Sequence, residues 1–316
     1  MLRQLTFGHP LEFSSVLTLG NFDGVHCGHA WLIRRTVEYA KKHQLKSILL
    51  SFDPMPAEFF SPTSSPARLM RFLEKWPILQ SSGLDACCIL PFKRPLMELS
   101  ALDFVKKILV EHFRVKHLFV GDDFRFGYQR QGDVELLHKL GKVFGFSVST
   151  HTEFFDGNKT ISSTWIRAAI KAGDFLLAEK LLGRPYKNRG RVVYGAQLGR
   201  QLGCPTANIP MNRHVSPVHG VYVVFVEGDN LQYYGVASVG NRPAVGGKGP
   251  AFLLEVHLFD FSGNLYGKRL EVSYLHKLRD EWMFDSLDAL KIQIQQDCEM
   301  ARQYLKKRQY NNVRKI

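Results

Sequence analysis

Through its first 185 residues the chain alternates short apolar runs with stretches in which apolar residues recur every three or four positions. The runs Val16–Leu19, Ser47–Phe52, Ala86–Leu90, His117–Gly121 and Ser147–His151 read as strands. The stretches Ala30–Lys42, Arg68–Gln80, Ala101–Phe113 and Val134–Phe144 predict helices, and two more follow at Ser163–Lys171 and Leu176–Leu182. Strands separated by helices pair in parallel, because each crossover carries the chain back over the sheet. The expectation is a doubly wound α/β domain whose ligand sits beyond the carboxyl ends of the strands.

The rhythm changes at Gly183-Arg184-Pro185. Beyond it, β-type runs at Arg191–Tyr194, Val221–Val226, Tyr233–Val239, Leu253–Phe259 and Leu270–Tyr274 are punctuated by Gly, Pro and Asn. They predict a compact antiparallel β-barrel. One helix closes the chain, with Leu287, Leu290, Ile294, Cys298, Ala301 and Leu305 on one stripe and Asp285 or Ser286 as its cap. It is expected to pack on the barrel as a lid or buttress. The division expected is therefore 1–186 and 187–316.

Composition adds limits. Hydrophobic residues make up 45% and charged residues 22%, enough apolar material for two cores. Lys and Arg number 42 against 29 Asp and Glu, a net charge of +13. That surplus suits nucleic acid, an anionic membrane or phosphorylated small molecules. It is spread along the chain, with one dense run from Lys306 to Lys315, which favours a solvated surface serving phosphate ligands. The five cysteines, Cys27, Cys87, Cys88, Cys204 and Cys298, show no metal-site or redox-pair spacing. Their odd number and the absence of an export-type N-terminus argue for reduced thiols in the cytoplasm. No apolar run approaches the roughly 20 residues that cross a bilayer. The expectation is a soluble, cytoplasmic monomer or weak homo-oligomer with neither a membrane nor a nucleic acid as partner.

Candidate chemistry begins between the first strand and helix, in Gly20-Asn21-Phe22-Asp23-Gly24-Val25-His26-Cys27-Gly28-His29. His26 and His29, three apart at a helix start, can face one side. Backbone N–H groups and the helix dipole favour phosphate there, and Gly28 permits close approach. Two imidazoles can then donate to phosphate oxygens as charge builds at an α-phosphorus. The stretch resembles the HxGH signature of the nucleotidyltransferase superfamily, and more narrowly the first motif of bacterial bifunctional riboflavin kinase/FAD synthetases. Gly121-Asp122-Asp123-Phe124-Arg125-Phe126-Gly127 resembles that family's GxDFxFG segment, which implies flavin-binding roles for Asp123, Phe124 and Phe126. Ile161-Ser162-Ser163-Thr164-Trp165-Ile166-Arg167 resembles its ISSTxIR segment, which implies that Ser162, Ser163, Thr164 and Arg167 hold ATP phosphates. Alone, the three hydroxyl residues also read as a helix cap. Ser51-Phe52-Asp53-Pro54 fits either a pocket wall or a strand-end turn.

The second candidate is Gly195-Ala196-Gln197-Leu198-Gly199-Arg200-Gln201-Leu202-Gly203-Cys204-Pro205-Thr206-Ala207-Asn208. Gly195, Gly199 and Gly203, four apart, can form a backbone cradle for polyphosphate, and Arg200 adds charge. No Gly-Lys-Ser/Thr follows, so it is not a Walker A loop. Pro205-Thr206-Ala207-Asn208 resembles the PTAN motif of riboflavin kinases, which implies that Thr206 and Asn208 hold ATP-bound Mg²⁺. The family usually has Phe where this chain has Cys204. Period-two alternation places Glu255 and His257 on one strand face, opposite Leu254, Val256 and Leu258. Glu255 stands at the family's catalytic glutamate position. Asn241-Arg242-Pro243 resembles its NRP turn, and Leu278-Arg279-Asp280-Glu281-Trp282-Met283-Phe284 its LRxExKF segment, with Met283 in place of Lys. Arg279 and Phe284 are then flavin-binding candidates, an Arg279–Glu281 salt bridge being equally simple.

The resemblance implies phosphorylation of riboflavin to FMN and adenylylation of FMN to FAD, with ATP, riboflavin and FMN as small-molecule partners and FAD as product. A nucleotidyltransferase acting on pantetheine phosphate or nicotinamide mononucleotide would need no such barrel. A nucleic-acid-binding module would show salt-sensitive affinity for single strands without turnover of flavin and ATP.

Overall fold

The computed structural model describes residues 2–62, 64–151, 155–156, 159–195, 199, 203–213, 215–228, 230–242 and 251–313. The chain divides into two compact units, one of residues 1–66 and 70–163, the other of residues 67–69 and 164–316.

The first unit carries a parallel sheet of β1 (Arg3–Leu5), β2 (Ser15–Leu19), β3 (Lys46–Asp53), β4 (Ala86–Pro91), β5 (Val115–Gly121) and β6 (Ser147–His151). Its order is β1-β4-β3-β2-β5-β6, and β7 (Phe155–Asp156) and β8 (Lys159–Thr160) follow as a separate antiparallel pair. The connections contain α1 (Cys27–Lys42), α2 (Pro56–Phe60), α3 (Phe72–Ser81), α4 (Arg94–Met97), α5 (Ala101–Asp103) and α6 (Val134–Phe144). After α5 the helix runs on with wider, π-type turns over Phe104–His112. Every residue of β2 is buried, the polar Ser15 and Thr18 included, because the strand is covered on both faces. Alternation along β3 sends Ile48 and Leu50 to a core with Phe104, Leu109, Phe113 and Leu118, and Leu49 to a second with Phe22, Ile33, Val37 and Leu79. From β2 the sheet grows through β3 and β4 on one side and through β5 and β6 on the other. The carboxyl ends of β2 and β5 therefore flank the point where strand order reverses.

Three sequence expectations shift here. Helix α1 starts at Cys27, not Ala30, because His26 caps it. The stretch expected from Arg68 becomes helical at Phe72, where the Arg71 N–H donates to Glu74 Oε2 at 2.7 Å. Strand β1 was not expected: its three residues are too few for a pattern and are recruited by pairing with β4.

The second unit joins α7 (Ser163–Ala172, from its second residue) and α8 (Phe175–Leu182) to an antiparallel barrel. Its strands are β9 (Lys187–Arg191), β10 (Ala207–Pro210), β11 (Gly220–Gly228), β12 (Leu231–Arg242), β13 (Ala251–Leu258) and β14 (Arg269–Arg279), ordered β10-β13-β12-β11-β14-β9. The Val193 N–H donates to Asn208 O at 2.9 Å and brings the chain after β9 back to β10, so the barrel is nearly closed. The first barrel strand is Lys187–Arg191, a correction to the apolar run Arg191–Tyr194. Pairing with β14 outweighs local hydrophobicity: Asn188 is buried there and accepts from the Tyr274 hydroxyl at 2.8 Å.

Helix α8 packs on the barrel through Phe175, whose ring lies 5.5 Å from Tyr274 and 5.7 Å from Tyr222. The C-terminal helix, Leu287–Val313, joins Ala301, Cys298, Tyr304 and Leu305 to Val221, Val223 and Phe259. Leu287, at the start of its expected stripe, is 57% exposed, so the later turns do the packing.

Candidate functional site

The loop after β2 is held by its backbone. Asn21 O accepts from the Lys75 ammonium at 3.0 Å and from the Ser51 hydroxyl at 3.2 Å. Phe22, Gly24 and Val25 all have positive φ, a tight winding that turns the chain from strand end to helix start. Buried Asp23 accepts from the Met70 N–H at 3.2 Å, and its own carbonyl takes the Ser163 hydroxyl at 2.9 Å. His26 then caps α1, its Nδ1 accepting from the His29 N–H at 3.3 Å. Accepting at Nδ1 puts the neutral ring's proton on Nε2. The two imidazoles stack with centroids 3.6 Å apart and planes 19° apart, and Phe22 lies 5.1 Å from His29. The shared face expected from the spacing is therefore present, as a stacked pair at the amino end of a 16-residue helix.

The segment after β5 leaves the neighbouring strand end. Asp123 is exposed, Phe124 is half-buried, and the rings of Phe124 and Phe126 stack at 5.7 Å. Phe126 is 6% exposed and packs 5.6 Å from Phe104, so it supports Phe124 from the core. A Cβ on Gly127 would strike the Ala101 backbone at 2.7 Å, and its φ is +74°. Ser162 and Ser163 are half-buried, while Thr164 and Arg167 fall in the second unit. There the Arg167 Nε donates to Ala67 O at 2.6 Å.

On the barrel, the PTAN residues and the glutamate meet through strand register. Asn208 stands directly opposite Glu255, and Glu255 opposite Ser238. Directly opposed residues share a face. Leu254, Val256 and Leu258 are buried on the other face, as the alternation predicts. Asn208 is buried, and its Nδ2 donates to Thr206 O at 3.5 Å. A Cβ on Gly195 would lie 2.6 Å from Asn208 Nδ2, and one on Gly199 would lie 2.5 Å from Cys204 O and 3.3 Å from Thr206 Oγ1. Space beside these hard oxygens exists because both positions lack a side chain, so the donor set fits a magnesium–nucleotide complex. Gly203 sits at φ +81°. Arg200 and Pro243 lie outside the described residues.

The ion-pair partner of Arg279 is Asp297: its Nε and Nη2 donate to that carboxylate at 2.9 and 2.7 Å, and its guanidinium covers Trp282 at 4.7 Å and Phe284 at 5.8 Å. Glu281 pairs with His219 at 3.1 Å, so the simple Arg279–Glu281 bridge is replaced by two longer-range pairs. Met283 is fully exposed. Sequence reasoning overlooked Lys75, Ser238 and Asp297. The visible signal for Lys75 was the charged pair Glu74-Lys75 inside the mostly apolar stretch Phe72–Leu79; Asp297 carried none, because its partner is 18 residues away.

Comparison with known proteins gives two family models. FAD synthetase matches residues 10–165 and riboflavin kinase residues 182–305. A bifunctional riboflavin kinase/FMN adenylyltransferase of Haemophilus influenzae is 44% identical over 305 residues, covering 96% of this chain and 98% of that protein. One of Escherichia coli K12 is 46% identical over 290 residues, covering 92% of each. A solved structure described as a macrolide-efflux protein from Streptococcus pneumoniae superposes with TM-score 0.76 at 32% identity, covering 95% of this chain and 98% of that one. Among the described residues no helix is long and apolar enough to cross a membrane.

Proposed function

The chain belongs to the bifunctional riboflavin kinase/FMN adenylyltransferase family, and from that premise we propose which of its residues carry each half-reaction. It phosphorylates riboflavin to FMN and adenylylates FMN to FAD.

The adenylyl transfer is assigned to the domain at 1–186. An FMN phosphate oxygen attacks the α-phosphorus of ATP, and the bond to the leaving pyrophosphate breaks. The attacking oxygen is already ionised, so no general base is needed and the site has only to align and neutralise. His26 and His29 donate to the phosphate oxygens, with Gly20, Asn21, Phe22, Asp23, Gly24 and Gly28 shaping the loop around them. Their position at the strand-order reversal and at a helix amino end supports this reading. Asp123 and Phe124 receive the flavin, Phe126 backs them, and Ser162, Ser163, Thr164 and Arg167 take ATP phosphates.

The kinase is assigned to the domain at 187–316. Riboflavin's terminal hydroxyl is a weak nucleophile, so Glu255 accepts its proton as the oxygen attacks the γ-phosphorus and ADP departs. Gly195, Gly199, Arg200 and Gly203 cradle the phosphates, Thr206 and Asn208 hold magnesium, and Arg279 and Phe284 border the flavin. Bound magnesium supplies neutralisation of phosphate charge. The register that sets Asn208 opposite Glu255 is the observation that carries this assignment.

The test is incubation with riboflavin, ATP and Mg²⁺, with chromatography separating FMN from FAD. FMN followed by FAD is expected; either one missing sinks the assignment of its unit.

A further inference from the structure

The sequence shows no metal-type spacing among its cysteines, yet the second unit brings Cys204, His257 and Cys298 together. One donor atom from each lies within 4.8 Å of the others, and all three side chains are partly exposed. The three come from separate elements: the loop before β10, strand β13 and the C-terminal helix. Tetrahedral zinc with sulfur ligands near 2.3 Å needs sulfurs about 3.8 Å apart, so small side-chain rotations suffice.

Each donor is held from behind. The Cys204 N–H donates to Gly199 O at 2.8 Å. His257 Nδ1 pairs with Pro205 O at 3.0 Å. A carbonyl can only accept, so Nδ1 carries the proton and the lone pair lies on Nε2. A ligating histidine is commonly oriented in this way, its second nitrogen on a backbone carbonyl. Cys298 follows Asp297, which accepts from both Nε and Nη2 of Arg279. One turn later Arg302 donates to both oxygens of Asp260, at 3.2 and 3.0 Å. The helix is thus fixed to the barrel on either side of the thiol.

We propose that Cys204, His257 and Cys298 form a binding site for a thiophilic divalent cation of the zinc class, with water as the fourth ligand. Two sulfurs and an imidazole select such an ion over magnesium, whose oxygen donors Thr206 and Asn208 lie just beyond in the same segment. Both thiols bind as thiolates and release their protons to solvent. An occupied site ties the segment bearing Thr206 and Asn208 to the C-terminal helix, and zinc then slows riboflavin phosphorylation by restraining that segment. The binding site itself stands apart from the kinase assignment; only this last consequence rests on it.

Cobalt(II) titration of the reduced full-length protein, without ATP, flavin or Mg²⁺, reads the site by its spectrum. Expected is one equivalent bound, with a thiolate-to-cobalt charge-transfer band and tetrahedral visible bands, bleached by zinc. Cys298→Ser and Cys204→Ser should each abolish the charge-transfer band, and His257→Gln should weaken binding. Absence of that band in protein whose thiols titrate as reduced overturns the site, as does a band of wild-type strength in Cys298→Ser. So does reduced protein that takes up no cobalt but forms a Cys204–Cys298 disulfide with oxidised glutathione. At saturating Mg-ATP, zinc should slow FMN formation in the wild type and leave Cys298→Ser unaffected; equal inhibition of both removes the proposed restraint.

Discussion

The two units place the groups proposed to react by opposite routes. In the first, His26 and His29 are close in sequence, and one helix start stacks their rings at 3.6 Å. The sheet contributes position, by ending β2 and β5 side by side where strand order reverses. In the second, Asn208 and Glu255 are far apart in sequence and meet only through the pairing of β10 with β13. A local motif tolerates changes elsewhere as long as its helix start is kept. A register-built site depends on every pair in the ladder, since a slip of one residue turns each side chain to the other face.

The strongest way to break this comparison is Glu255→Gln, which keeps size and hydrogen-bonding reach but cannot take the alcohol's proton. Riboflavin phosphorylation should fall by about 10²–10⁴, while FAD formation from supplied FMN should be unchanged. A normal kinase rate would remove Glu255 from the mechanism. The converse experiment is His26→Ala with His29→Ala. Loss of phosphate donors typically costs about 10²–10³, so FMN should accumulate with little FAD. Unimpaired FAD formation would falsify the histidine assignment.

Two further experiments sharpen the division between the units. Phe175, 4% exposed, fills the space over Tyr222 and Tyr274, so Phe175→Ala should cost about 3–5 kcal/mol in the second unit's unfolding. By the same argument a fragment starting at Thr164 should melt higher than one starting at Lys187, which lacks this cover. Equal melting temperatures would show that α7 and α8 contribute nothing to the barrel.

The smallest effect concerns acid. Burial pushes His117 down to about 4, with His43 adding repulsion, while the ring stacks 4.0 Å from Tyr39. Folding therefore favours the neutral ring. Its stabilisation is complete above the unfolded value of about 6.5 and is lost progressively as pH falls towards 4. The first unit's denaturation midpoint should decline across that window, and His117→Gln should flatten the decline. An unchanged slope in the variant would assign the acid sensitivity to other groups.

What was legible in the sequence follows from the range of the forces involved. Period and composition marked five of the six parallel strands and the change of rhythm near residue 183, because burying a sheet on both faces or on one leaves a direct trace in the apolar pattern. The histidine pair was equally legible, since spacing of three at a helix start defines its geometry. Short pieces such as Arg3–Leu5 and Lys187–Arg191 were not, because partner strands recruited them through backbone hydrogen bonds that any side chain permits. Tertiary structure alone decided the assignment of α8 to the barrel, the pairing of Arg279 with Asp297 and the meeting of Asn208 with Glu255. It alone gathered Cys204, His257 and Cys298 as well. Each of those contacts closes a long loop, and no local pattern records where such a loop will end.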